Sequence, residues 1–237
     1  MCDGCGRTDG GAVMSEIIKL ENVIRMVEGE RRAVNGVSLI MNNKERVAFC
    51  GASGSGVSTL MCLIAGMERP SCGKIFVSGS AVHEMNSDTA AKFRSRTFGI
   101  LQRKPAFMEN MTVQENVALP LAISDIPAVK RQKAAKEQLR TLGLGYAAHA
   151  HPSQLSLLER HMVSIARAFI TLPQIFLIDD IAAELSEKDS EKIKQILFGR
   201  WQLGEYTILA FTGTGSSLLK ADRTFALAHG IIQEEII

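Results

Sequence analysis

The chain has 237 residues, 46% of them apolar and 22% charged, with a formal net charge of +2. That content builds one sizeable core, or a core with a smaller subdomain, and excludes a disordered chain. The near-neutral balance argues against a dedicated nucleic-acid binder, and no apolar run reaches the roughly 20 residues of a membrane span.

Residues 1–16 open on MCDGCGRTDGG, polar and glycine-rich. This is no signal peptide, and a poorly ordered N-terminal extension is expected, with Met14 an alternative start. Cys2 and Cys5 form a C-x-x-C that no second pair answers, so no structural zinc is expected. The other cysteines, Cys50, Cys62 and Cys72, read as free thiols in a reducing compartment. The five histidines form no metal-spaced set.

Residues 17–24 and 33–40 read as strands separated by a charged turn. RVAFC, residues 46–50, is a short apolar strand that runs into the glycine-rich GASGSGVS and then a helical pattern, TLMCLIAGM. Residues 74–78 are a further strand, bounded by Gly73 and Gly79. From about 86 to 170 the chain is predicted mostly helical, with helices over 112–119, 127–142 and 156–170. The second of these has a basic face, read as solvated, and the third is capped by Ser156. IFLID, residues 175–179, is a buried parallel strand that ends in an acid. A helix over 187–203 and strands over 207–211 and 224–232 complete the reading. Strands alternate with helices at both ends, which predicts an α/β core with an inserted helical subdomain.

The strongest local signal is Gly51-Ala52-Ser53-Gly54-Ser55-Gly56-Val57-Ser58. A phosphate loop has the pattern G-x-x-x-x-G-K-[S/T] between a strand and a helix. Its glycines turn backbone N–H groups inward, and the helix N-terminus adds partial positive charge. Ser58 stands where a hydroxyl would touch Mg²⁺, whereas Val57 stands where a lysine would neutralise phosphate. Downstream, Asp179 ends a strand, as a Mg²⁺-binding acid does in a phosphate-loop protein, and Asp180 follows it.

Four ordered segments extend this signal into a family resemblance. GASGSGVSTLMCLIAGMERPSCGKIFVSG resembles the first nucleotide-binding segment of ABC-transporter ATPases. Gln102, in FGILQRKPAFMENMTVQENVALPL, resembles that family's Q-loop. HPSQLSLLERHMVSIARAF resembles its signature segment, and QIFLIDDIAAELS its Walker B strand and D-loop. The flavour is that of the lipoprotein-release, macrolide-efflux and peptide-resistance group. The resemblance implies a phosphate-loop (RecA-like) nucleotide-binding core with N-terminal antiparallel strands and an inserted α-helical subdomain. It places the ABC-type domain at 17–237 and the helical subdomain at about 103–165. It also implies a membrane permease and a second ATPase chain as partners, at the cytoplasmic face of the membrane.

Several positions depart from the family pattern. The adenine-stacking aromatic falls near Val27 or Met26, neither of which has a ring. Leu-Ser-Gly-Gly-Gln is here Leu155-Ser156-Leu157-Leu158-Glu159, whose leucines obstruct and whose acid repels a phosphate on an opposing subunit. The catalytic glutamate is Asp180, one methylene shorter; the D-loop aspartate is Ser186; the switch histidine is Gly213. The candidate nucleotide-binding residues are therefore Gly51, Ser53, Gly54, Ser55, Gly56, Val57, Ser58 and Thr59, with Ser156 acting across a dimer. Ser58, Gln102 and Asp179 are the candidate Mg²⁺ ligands, and Asp180 and Gln102 the weak catalytic candidates. The expectation is a degenerate nucleotide-binding subunit with weak Mg-ATP binding. A slow ATPase and a non-binding structural or regulatory subunit are the alternatives.

Overall fold

The computed structural model describes residues 15–27, 31–181, 183–202, 206–213 and 220–236. The expected extension, with Cys2 and Cys5, lies outside these except at its last two residues, Ser15 and Glu16.

Two sheets carry the fold. The first is antiparallel, in the order β2-β1-β4-β5. Its strands are β1 (Glu16–Met26), β2 (Arg32–Asn42), β4 (Cys72–Val77) and the two-residue β5 (Ser80–Ala81). Ser78 and Gly79, both at positive φ, make the tight turn between β4 and β5. The second sheet has the order β10-β9-β3-β8-β7-β6. Its strands β3 (Arg46–Cys50), β6 (Phe98–Leu101), β7 (Ile175–Asp179), β8 (Thr207–Thr212) and β9 (Arg223–Ala228) run parallel. β10 (Ile231–Ile236) closes the edge antiparallel to β9.

Two elements differ from expectation. The single strand over 224–232 is a hairpin, because His229 and Gly230 both take positive φ and reverse the chain. The mostly helical stretch also contains β6, whose four residues pair with Phe98↔Ile175 to Leu101↔Ile178. Gly99 lets it sit close: a Cβ there would lie 2.4 Å from the Phe176 ring.

Helix starts follow local capping chemistry. α2 (Ser87–Thr97) is capped by Asn86, and α6 (Glu187–Trp201) by Ser186. α3 (Val113–Ile123) and α5 (Leu157–Phe169) each begin with a capping box, Thr112–Glu115 and Ser156–Glu159. α3 runs past Pro120 and ends four residues beyond its predicted end. α4 (Ala128–Thr141) packs against α3 and α5. α1 (Val57–Ile64) begins directly at Gly56, earlier than the hydrophobic pattern alone suggests.

The parallel sheet separates two cores. Leu177, Leu209 and Phe211 join Val23, Val37 and Leu60 in the core shared with the antiparallel sheet and α1. Phe176, Ile178 and Ile208 join Val117, Leu139, Ile165 and Ile193 in the core under α3–α6. Neighbouring strand residues thus serve opposite faces, as a period of two requires. Phe49 stacks on Phe211 at 5.3 Å and on Phe225 at 5.7 Å, tying β3 to both neighbours.

Candidate functional site: a phosphate-loop cleft

The candidate loop leaves β3 at the C-terminal ends of the parallel strands, where open α/β sheets bind ligands. β3 lies between β8 and β9, so the loop emerges beside both. Gly51 N–H donates to the Thr212 carbonyl of β8 at 3.1 Å, which fixes the loop's start. A Cβ at Gly51 would come within 2.4 Å of Ser55 Oγ and 2.6 Å of the Leu227 carbonyl oxygen. Gly56 has φ +101°, and a Cβ there would lie 1.9 Å from the Ala33 carbonyl oxygen. Only glycine makes this turn. Ser55 N–H donates to the Ala52 carbonyl at 3.0 Å, closing it.

The result is a cleft of about 570 Å³. Residues 51–59 form one side, and Arg103, Asp179, Asp180, Thr212 and Gly213 complete it. Gly51, Ser53, Gly54, Ser55, Gly56, Val57, Ser58, Thr59, Asp179 and Asp180 are thus all brought together. Ser58 is exposed to the cleft, while Val57, at 8% exposure, belongs to the hydrophobic core. Its side chain offers a phosphate neither a charge nor a donor.

The acids are electrostatically poised. Burial raises the Asp179 carboxyl above the ordinary carboxylate range, the neighbouring Asp180 raises it further, and Arg103 opposes both. Asp180 takes φ +37°, and its N–H donates to the Phe211 carbonyl at 2.9 Å. Its Oδ1 is buried without a hydrogen-bond partner, as is Ser55 Oγ. Asp179, Asp180 with its unpaired Oδ1, the unpaired Ser55 Oγ and the exposed Ser58 hydroxyl are the oxygens here that could hold a divalent cation beside a phosphate.

Other sequence candidates lie elsewhere. Gln102 lines an adjacent groove with Pro120 and Arg167; the next residue, Arg103, is the one that reaches the cleft. Ser156 sits at the start of α5, where its hydroxyl donates to Glu159 Oε2 at 2.6 Å and its N–H to the same oxygen at 2.8 Å. Tyr146 OH also donates to Glu159. The Ser156 hydrogen bond first, then Tyr146, hold the Glu159 carboxyl below its usual range. Arg103 and Tyr146 were not among the sequence candidates.

A protein-family model described as ABC transporter matches residues 34–183. The chain belongs to the ABC transporter family, as an ATP-binding subunit. This ABC subunit is 30% identical over 220 residues to the uncharacterized ABC transporter ATP-binding protein YbbA of Escherichia coli K12, covering 93% of this chain and 96% of that one. It is 34% identical over 226 residues to the methionine import ATP-binding protein MetN of Brucella abortus strain 2308, covering 94% of this chain and 60% of MetN. Among solved structures it is similar to the dimeric ATP-binding cassette MJ0796 bound to ADP and Pi. There the TM-score is 0.83 and the identity 28%, over 93% of this chain and 98% of that one.

The family positions can be read on the ABC subunit's own geometry. Met26, 44% exposed, pairs with Arg32 beside the Ala33 that Gly56 packs against. A Cβ at Gly213 would lie 3.8 Å from Asp180 Oδ2, so a side chain at 213 would face that acid. Ser186 caps α6, and its hydroxyl donates to Asp189 at 2.8 Å. Leu157, the first residue of α5, is 40% exposed. Among the described residues, no helix is long and apolar enough to cross a membrane.

Proposed function

We propose that this ABC subunit is a degenerate nucleotide-binding subunit that binds Mg-ATP weakly and has lost most of its hydrolytic capacity. The observation that carries the reading is Val57, buried in the core at the position of the phosphate-binding lysine. Losing one charge-assisted phosphate contact removes about 1.5–3 kcal/mol, or about ten- to a hundredfold in affinity. The glycine-rich loop and the α1 N-terminus remain to hold phosphate. Ser58 and Asp179 are the residues that would hold Mg²⁺. Asp180 is the residue that would hold a water as general base, with a shorter reach than glutamate. Gly213 leaves the Asp180 side without the contact that a histidine would add.

Partners follow from the same positions. The subunit docks on an integral membrane permease at the cytoplasmic face, using the groove that contains Gln102, Pro120 and Arg167. It pairs with a second ATPase chain. A heterodimer is favoured, since each composite site of a homodimer would join a loop lacking lysine to a signature lacking its glycines. No nucleic acid is involved.

Calorimetric titration of Mg-ATP into wild type and Val57→Lys tests the reading. The lysine variant is expected to bind about ten- to a hundredfold more tightly. Equal affinities would overturn the weight placed on Val57.

A further inference from the structure

The cleft has a cation that the phosphate-loop pattern does not call for. Arg103, in the loop leaving β6, lines it together with the phosphate loop, Asp179 and Asp180. Among the described residues it is the one cationic side chain in that lining.

We infer that Arg103 stands in for part of the missing lysine's contact, its guanidinium binding the terminal phosphates of a nucleoside polyphosphate seated in the loop. This rests on the nucleotide-binding reading above. The cleft's charges support it. With a lysine at 57, one cation would face two acids; Arg103 restores that balance from a different strand end. A guanidinium can donate two parallel hydrogen bonds to one phosphate, whereas its pairing with Glu184 is a 3.5 Å contact through Nε.

Its present pairing is easily exchanged. Arg103 Nε lies 3.5 Å from Glu184 Oε1, and its side chain is 52% exposed. Lys104 Nζ lies 3.4 Å from the same oxygen. When Arg103 turns to a phosphate, Glu184 keeps Lys104, so no acid is left bare. Exposed ion pairs at such distances hold their partners weakly. The arginine is held at the cleft's edge and is free to turn inward.

The test is calorimetric titration of Mg-ATP into the full chain as wild type, R103A, R103K, V57K and the V57K/R103A double variant. Thermal melting without nucleotide checks that each folds. Wild type is expected to bind, R103A to weaken binding by about tenfold or more, and R103K to recover part of the loss. In the V57K background the R103A change should cost much less, because the lysine makes the arginine redundant. If wild type and a folded R103A bind equally, the inference is wrong and the nucleotide-binding reading stands. If wild type binds no Mg-ATP, both fail. If R103A does not fold, R103Q takes its place under the same criteria.

Discussion

Asp179 combines a cost to the fold with the Mg²⁺-holding role proposed above. Its pKa is raised, chiefly by burial, so its ionised form opposes folding at neutral pH. Asp179→Asn should therefore raise the melting temperature of the ligand-free chain while removing the Mg²⁺ dependence of ATP binding. Differential scanning calorimetry with and without Mg²⁺ checks both halves. A lower melting temperature would mean that the carboxylate is paired rather than stranded. His161 is a second poised residue. It is buried in α5 with Nε2 unpartnered, and burial lowers its pKa below the ordinary 6.5, against a smaller opposing pull from Glu184. Since the folded pKa lies below the unfolded one, protonation favours the unfolded chain. Stability should fall as pH drops through about 6.5, and His161→Leu should flatten that limb of a urea-denaturation series.

At the scale of elements, α5 opens on a capping box at the segment that resembles the family's signature. Ser156 and Glu159 satisfy each other and the first donors of the helix, and Tyr146 adds a third donor to the same carboxylate. The serine hydroxyl is thereby occupied within its own chain. Ser156→Ala should cost about 0.5–2 kcal/mol, lowering the melting temperature by about 2–4 °C per kcal/mol in a chain of this size. No change in melting would show that the cap contributes nothing. Elements also mark what was legible in the sequence. β3, the phosphate loop and β7 announce themselves locally, by apolar runs, glycines and a terminal acid. β6 does not: its four residues are a strand because β7 lies alongside and Gly99 admits Phe176. The β9–β10 hairpin was hidden because one apolar run covers both strands, and only the backbone at His229 and Gly230 reveals the reversal. In the site, the loop residues and both acids were readable from spacing. Arg103 was not, because nothing local tells which of two neighbours, Gln102 or Arg103, turns to the cleft.

For the whole molecule, the function proposed above has both halves of a composite site altered in one chain. Val57 affects the loop, and Leu157, Leu158 and Glu159 affect the surface offered to a partner. Repairing one half should not produce a nucleotide-bound pair of this chain. Val57→Lys is expected to stay monomeric with Mg-ATP in light scattering. Combining it with Leu157→Gly, Leu158→Gly and Glu159→Gln should promote ATP-dependent dimers. Dimers of wild type with ATP would remove the argument for a different second chain. The central claim, that hydrolysis is no longer this subunit's task, is tested most directly by phosphate release from Mg-ATP with the purified chain, using Asp179→Asn as the blank. The account predicts wild-type release indistinguishable from that blank. Turnover on the order of 1 s⁻¹ or faster, abolished by Asp179→Asn, would contradict it.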